Sequence, residues 1–168
     1  ETNVPLVIWA AIGRGWGSGS QHSQAIQGLL LGVPGLKIVM PSTPFDAKGL
    51  MLAAIADNNP VLIFEHRWSM RNKGVVPEGV YKIPIGKGVY RRTGKDLTVV
   101  GTSHILELAI QTVDALAEDG ITADVIDLRT LKPLDEETIL ESLKKTGRIL
   151  IVDTGWEMGG VCAELGCL

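Results

Sequence analysis

Ile12-Gly13-Arg14-Gly15-Trp16-Gly17-Ser18-Gly19-Ser20-Gln21-His22-Ser23-Gln24 follows an apolar, β-rich run and opens onto a helical pattern. A strand, a glycine-rich turn and a helix in that order begin a strand–helix–strand crossover, the unit from which parallel α/β sheets are built. The rest of the chain keeps the rhythm. Short runs rich in Val, Ile and Leu predict strands over residues 5–10, 37–40, 61–65, 97–101, 123–128 and 148–153. Longer patterns between them predict helices over residues 22–31, 45–56, 104–119 and 136–146. Asp135 stands where an N-cap would precede Glu136-Glu137, and acids in a first turn suit the helix dipole. Gly120 and Gly147 each follow a helical stretch, where a left-handed C-cap is expected.

Between residues 66 and 96 no helical period is present, and Gly74, Pro77, Gly79, Pro84, Gly86, Gly88 and Gly94 punctuate the segment. It reads as a linker between two open α/β units of about three strands each, fewer than the usual ~5 of a complete sheet.

The chain has 168 residues, 45% hydrophobic and 21% charged, the balance of a folded globular protein rather than a disordered one. A formal charge of −3 offers no basic field for a phosphate backbone, so nucleic acid is disfavoured as a partner. No apolar run reaches the ~18 residues of a membrane span, and Glu1-Thr2-Asn3 does not begin a signal pattern, which gives a cytoplasmic, non-membrane reading. Cys162 and Cys167 lack nearby histidines for a zinc pattern and read as reduced core thiols. Residue 1 is not Met, and residues 161–168 read as an unfinished apolar helix, so both ends read as cut.

The glycine-rich loop lies at the carboxyl edge of its strand, where open α/β folds bind ligands. Alternating glycines permit positive φ and let backbone amides approach a ligand closely. The spacing matches neither a dinucleotide fingerprint nor a P-loop. His22 can give or take a proton near neutral pH. The plainer alternative is a histidine at a helix start with glycines serving a tight turn.

This loop and three later stretches together resemble the beta subunit of the decarboxylating component of 2-oxo acid dehydrogenase complexes, a family using thiamine diphosphate that includes pyruvate, branched-chain and acetoin dehydrogenases. The first of those stretches is Val33-Pro34-Gly35-Leu36-Lys37-Ile38-Val39-Met40-Pro41 with Asp46-Ala47-Lys48-Gly49-Leu50; the second is Ile85-Gly86-Lys87 with Gly94-Lys95-Asp96; the third runs Ile126-Asp127-Leu128-Arg129-Thr130-Leu131-Lys132-Pro133-Leu134-Asp135. The resemblance implies an α/β fold in which residues 1–70 end a transketolase-like pyrimidine-binding domain, 71–95 link, and 96–168 begin the transketolase C-terminal domain. It implies thiamine diphosphate as cofactor, with magnesium and the diphosphate held through an alpha subunit, and an activating glutamate upstream of Glu1. Partners so implied are that alpha subunit, a second beta subunit and a lipoyl acyltransferase core that receives the acyl group. The substrate would be a small 2-oxo acid, and the isolated fragment is expected to be inactive.

His22 matches the histidine of the family's Gln-His-Ser motif and takes the catalytic role, with Gln21 and Ser23 as candidate cofactor contacts. Arg14 is a candidate for the substrate carboxylate and Trp16 for the channel wall. Some members bind potassium at a segment matching Ala54, Asp57 and Asn59, although Asp57-Asn58-Asn59-Pro60 also reads as a metal-free turn. Glu65-His66-Arg67 ends a strand at the same carboxyl edge and is either substrate-facing or exposed linker charge. Trp9-Ala10-Ala11 departs from the Arg-Gly-Pro-like sequence of many members, which counts against assigning pyruvate in particular. The competing enzyme readings are deoxyxylulose phosphate synthase and transketolase; the competing non-enzyme reading is an interaction fragment.

Overall fold

The computed structural model describes residues 2–13 and 17–168. Its strands and helices run β1 (Val7–Ile12), β2 (Lys37–Val39), α1 (Pro44–Ile55), β3 (Val61–His66), β4 (Val89–Arg92), β5 (Leu97–Gly101), α2 (Ser103–Glu118), β6 (Ala123–Asp127), β7 (Thr130–Lys132), α3 (Glu136–Thr146), β8 (Ile149–Val152) and α4 (Val161–Leu165). Single 3-10 turns occur at Ser20–His22, Gln27–Leu30 and Ser69–Arg71. No helix of the described residues is long and apolar enough to cross a membrane.

Two four-stranded sheets result, ordered β1-β3-β2-β7 and β4-β6-β5-β8. β1 and β2 flank β3 in parallel, and β6 and β8 flank β5 in parallel. Each sheet carries one antiparallel strand, β7 on β2 and β4 on β6. The central strands are buried on both faces: Val61, Leu62, Ile63 and Phe64 of β3 are all buried, as is every residue of β6, including Asp124 and Asp127, which are hydrogen-bonded inside.

Local signals explain the helices that match expectation. Thr43 caps α1, its hydroxyl accepting from the Asp46 N–H at 3.1 Å, with Pro44 in the first turn where its missing N–H costs nothing. α3 carries Glu136 and Glu137 in its first turn, Lys144 and Lys145 in its last, and a left-handed Gly147 (φ 68°) after it.

Three expectations are corrected. The helix expected over residues 22–31 is replaced by two 3-10 turns, because Gly19, Ser20, Ser23, Gly28 and Gly32 give a helix little support. Gly28 serves packing instead: a Cβ there would lie 3.0 Å from the Gly159 carbonyl oxygen. The segment read as a linker contains β4. Two units are present, one sheet each, and β7 carries a strand of the second half onto the first sheet, so the two pack against each other. A single buried cluster draws Ile12, Ile38, Met40, Leu62 and Phe64 from one half and Val100, Ile126, Leu128, Ile139 and Leu165 from the other. Cys167, expected in the core, is exposed, and Cys162 is half-buried; both are free thiols.

Candidate active site and the joint behind it

β1 and β3 end side by side, and their carboxyl ends carry the candidate chemistry. The Arg67 N–H donates to the Ile12 carbonyl at 2.9 Å, extending the pairing one residue beyond the strands. The Gly13 N–H donates to the Gln24 carbonyl at 3.1 Å, pulling the returning loop against the end of β1. Gly17 (φ 82°) and Gly19 (φ 76°) take the left-handed conformations that let the loop turn back, and the 3-10 turn Ser20–His22 follows.

His22 is exposed, and its imidazole makes no side-chain hydrogen bond among the described residues. It lines a pocket of about 220 Å³ together with Ala11, Ile12, Gln21, Gln24, Ile26 and Arg67. Gln21 therefore joins His22. Ser23 does not: it lines a neighbouring cleft of about 470 Å³ with Ser20, Gln24, Thr154, Trp156 and Glu157. Arg14 and Trp16 lie outside the described residues. A larger cleft of about 720 Å³ opens between α1, residues 71–75 and α2, away from His22. The smaller pocket is the candidate site, because there an exposed histidine, apolar side chains and an arginine meet.

Glu65, His66 and Arg67 diverge. Glu65 Oε2 accepts from Trp9 Nε1 at 2.7 Å. His66 is buried, accepts from the Trp68 N–H on Nδ1 at 3.3 Å, and stacks on His104 with ring centroids 5.2 Å apart. Burial, then the neighbouring His104 and Arg67, push its pKa down to about 4, so the ring is neutral near pH 7. Only Arg67 reaches the pocket.

The turn at Asp57 satisfies itself. Asp57 Oδ1 accepts from the Asn59 N–H at 2.9 Å and the Asn59 side-chain amide at 3.0 Å, while Oδ2 takes the Lys37 ammonium in a short ion pair. Burial alone would raise the Asp57 pKa, but Lys37 and the Asn59 donors outweigh it and hold the carboxyl below its usual range. The Ala54 carbonyl accepts from the Asp57 N–H at 3.2 Å. The Asp57 carboxylate is thus already occupied by Lys37 and Asn59, so any potassium ion here would have to be held by backbone carbonyl oxygens at Ala54, Asp57 and Asn59. Among the described residues no group of three or more His, Cys, Asp or Glu converges as metal ligands.

A buried polar joint, whose roles are not assigned by the sequence motifs, lies beside the larger cleft, which Ser42 and Arg91 line. Arg91 donates to Asp127 through Nε at 3.1 Å and Nη2 at 2.6 Å, and to Asp46 in a shorter bond. Burial works against the Arg91 charge, yet Asp127 and Asp46 together raise its pKa. Ser42 Oγ donates to Asp127 at 2.9 Å and accepts the Ser103 N–H at 2.6 Å. Arg129 donates to the Lys87 and Gly88 carbonyls and faces Asp46 at 3.5 Å. Ser103 (φ 59°) and Arg129 (φ 55°) are the described non-glycine residues with positive φ, and both sit in this joint. Asp46, Asp127 and Arg129 belong to the stretches that carry the family resemblance; the missing signal was which of them would be buried.

Comparison with known proteins agrees with this architecture. Residues 1–73 match the transketolase pyrimidine-binding domain model and residues 86–166 the transketolase C-terminal domain model. The beta subunit of acetoin:2,6-dichlorophenolindophenol oxidoreductase from Bacillus subtilis (strain 168) is 42% identical over 100% of this chain and 49% of its own length. From the same organism, the 2-oxoisovalerate dehydrogenase beta subunit is 44% identical over 100% of the chain and 52% of its own, and the pyruvate dehydrogenase E1 component beta subunit 40% over 96% and 50%. The chain thus spans about half the length of the curated relatives it matches. The solved structure of a split-gene transketolase, an inactive beta4 tetramer, superposes with a TM-score of 0.81 over 98% of the chain and 52% of its own at 24% identity, which speaks to fold alone. With both domain models matched in order and these relatives aligned along nearly its whole length, the chain belongs to the transketolase-like family of the 2-oxo acid and acetoin dehydrogenase beta subunits.

Proposed function

We propose that this chain supplies part of the active site of a thiamine diphosphate-dependent 2-oxo acid dehydrogenase, which decarboxylates a small 2-oxo acid and passes the acyl group to lipoamide. The supporting observation is the His22 pocket at the carboxyl ends of β1 and β3, in a chain with beta-subunit relatives throughout. The reading includes an alpha subunit that holds the diphosphate and magnesium, a second beta subunit and a lipoyl acyltransferase core.

The lining fits the reactive end of the cofactor, since Ala11, Ile12 and Ile26 form an apolar wall beside the exposed His22 imidazole. When bound, thiamine diphosphate supplies the electron sink that loss of carbon dioxide requires. This chain does the rest of the local work. The apolar wall excludes water and holds the substrate's alkyl part. His22 holds or moves a proton at the substrate oxygen during acyl transfer. Gln21, on the same 3-10 turn, orients the imidazole's surroundings.

The test is 2-oxo acid-dependent reduction of an artificial electron acceptor by the full-length protein assembled with its alpha partner. His22→Ala should lower kcat by about 10²- to 10⁴-fold with unchanged thermal stability. Absence of thiamine-dependent turnover on any 2-oxo acid, or a variant as active as wild type, would overturn the reading.

A further inference from the structure

Among the described arginines at the carboxyl edge and in the joint, Arg67 differs from Arg91, Arg92 and Arg129. Arg91, Arg92 and Arg129 each have their guanidinium engaged by Asp127, Asp114 and the Lys87 carbonyl respectively. The Arg67 side chain is half-buried and makes no hydrogen bond or ion pair among the described residues. Its guanidinium, with no acceptor among the described residues, has donors free for a ligand's oxygens.

The backbone holds Arg67 where a ligand would find it. Its N–H is fixed to the Ile12 carbonyl, and its stem lies across Gly13, where an added Cβ would stand 3.5 Å from Arg67 Cγ and 3.7 Å from Cδ. Neither neighbour on β3 competes for the pocket, since Glu65 is engaged by Trp9 and His66 is buried against His104. Among the described residues no Asp or Glu lines the pocket, and Arg67 gives that lining a positive charge. The rest of the lining combines apolar Ala11, Ile12 and Ile26 with Gln21, His22 and Gln24, and about 220 Å³ is smaller than a drug-sized ligand needs.

We propose that Arg67 is the carboxylate anchor of the His22 pocket, so that the site selects a small 2-oxo acid anion over a neutral acyloin or diketone of the same size. The inference rests on the functional reading above and adds the residue that sets substrate charge. The guanidinium fork donates two parallel N–H···O bonds to the carboxylate.

The test uses the full-length protein assembled with its alpha partner and thiamine diphosphate, titrated calorimetrically with isobutyrate and with its neutral isostere isobutyramide. Arg67→Met should weaken isobutyrate binding about tenfold or more and leave isobutyramide within about twofold, with Arg67→Lys intermediate. In turnover, KM for a 2-oxo acid should rise with kcat little changed. Equal weakening of both probes would mean a merely structural role and overturn the proposal, as would isobutyrate binding that is absent in wild type or unchanged in Arg67→Met. If Arg67-dependent anion binding is found but no thiamine-dependent turnover, the anchor stands and the decarboxylase reading falls.

Discussion

His66 and Arg67 are adjacent in sequence and meet opposite environments, one sealed against His104 and the other facing the His22 pocket. That difference has a measurable pH signature. The His66 pKa of about 4 in the fold lies below the ordinary value of 6.5, so the unfolded chain takes up a proton that the folded chain resists. Stability is therefore full above about pH 6.5 and falls as the pH drops toward 4, by up to about 3 kcal/mol from this group. The groups facing the ring are His104, with Glu107 3.7 Å from His104 Nδ1, and Arg67. Urea midpoints measured from pH 7 to pH 4 should show the fall, and His66→Phe should flatten it. An unchanged slope in that variant would place the acid sensitivity elsewhere. From sequence, Glu65-His66-Arg67 was legible as the end of a strand at a ligand-binding edge. Which side chain would face the pocket was not, because that depends on α2 delivering His104 from a segment nearly forty residues away.

Elements whose signals are local were legible to the residue, and those made by distant partners were not. α3 agrees at both ends because first-turn acids, last-turn lysines and Gly147 all lie within its own sequence. β5 agrees because five consecutive residues suit a buried parallel strand. β4 escaped notice because Val89-Tyr90-Arg91-Arg92 is half polar and owes its strand to pairing with β6. β7, three residues between a left-handed Arg129 and Pro133, exists only because β2 offers an edge. Gly94 shows how tightly such pairing is built. Its N–H donates to Asp124 at 2.9 Å, and an added Cβ would lie 2.2 Å from the Ala123 nitrogen, in backbone that cannot swing aside. Gly94→Ala should cost about 1–3 kcal/mol by forcing the turn before β5 away from β6. A melting temperature equal to wild type would refute that close approach.

At the scale of the molecule, the punctuated middle segment suggested two units, but β7, the shared apolar cluster and the Arg91 joint bind them into one body. This matters for the site, because the pocket's floor at β1 and β3 is backed by residues of the second half. Arg91 is the most exacting part of the joint: it is the common partner of two buried carboxylates, Asp46 on α1 and Asp127 at the end of β6. Removing it leaves both charges buried without their main partner, and loss of one member of a buried ion pair typically costs about 3–5 kcal/mol. Arg91→Met should lower stability by about that amount, and Arg91→Met combined with Asp127→Asn should recover part of it, since the second change removes an uncompensated charge. Hydrogen exchange read strand by strand shows whether the joint couples the sheets. In Arg91→Met of the full-length protein, amides of β3 and β5 should lose protection by the same free energy, because opening either sheet exposes the common core. If β5 and β6 lose protection while β2 and β3 keep theirs, the halves open independently, and the His22 pocket does not depend on the second half for its shape.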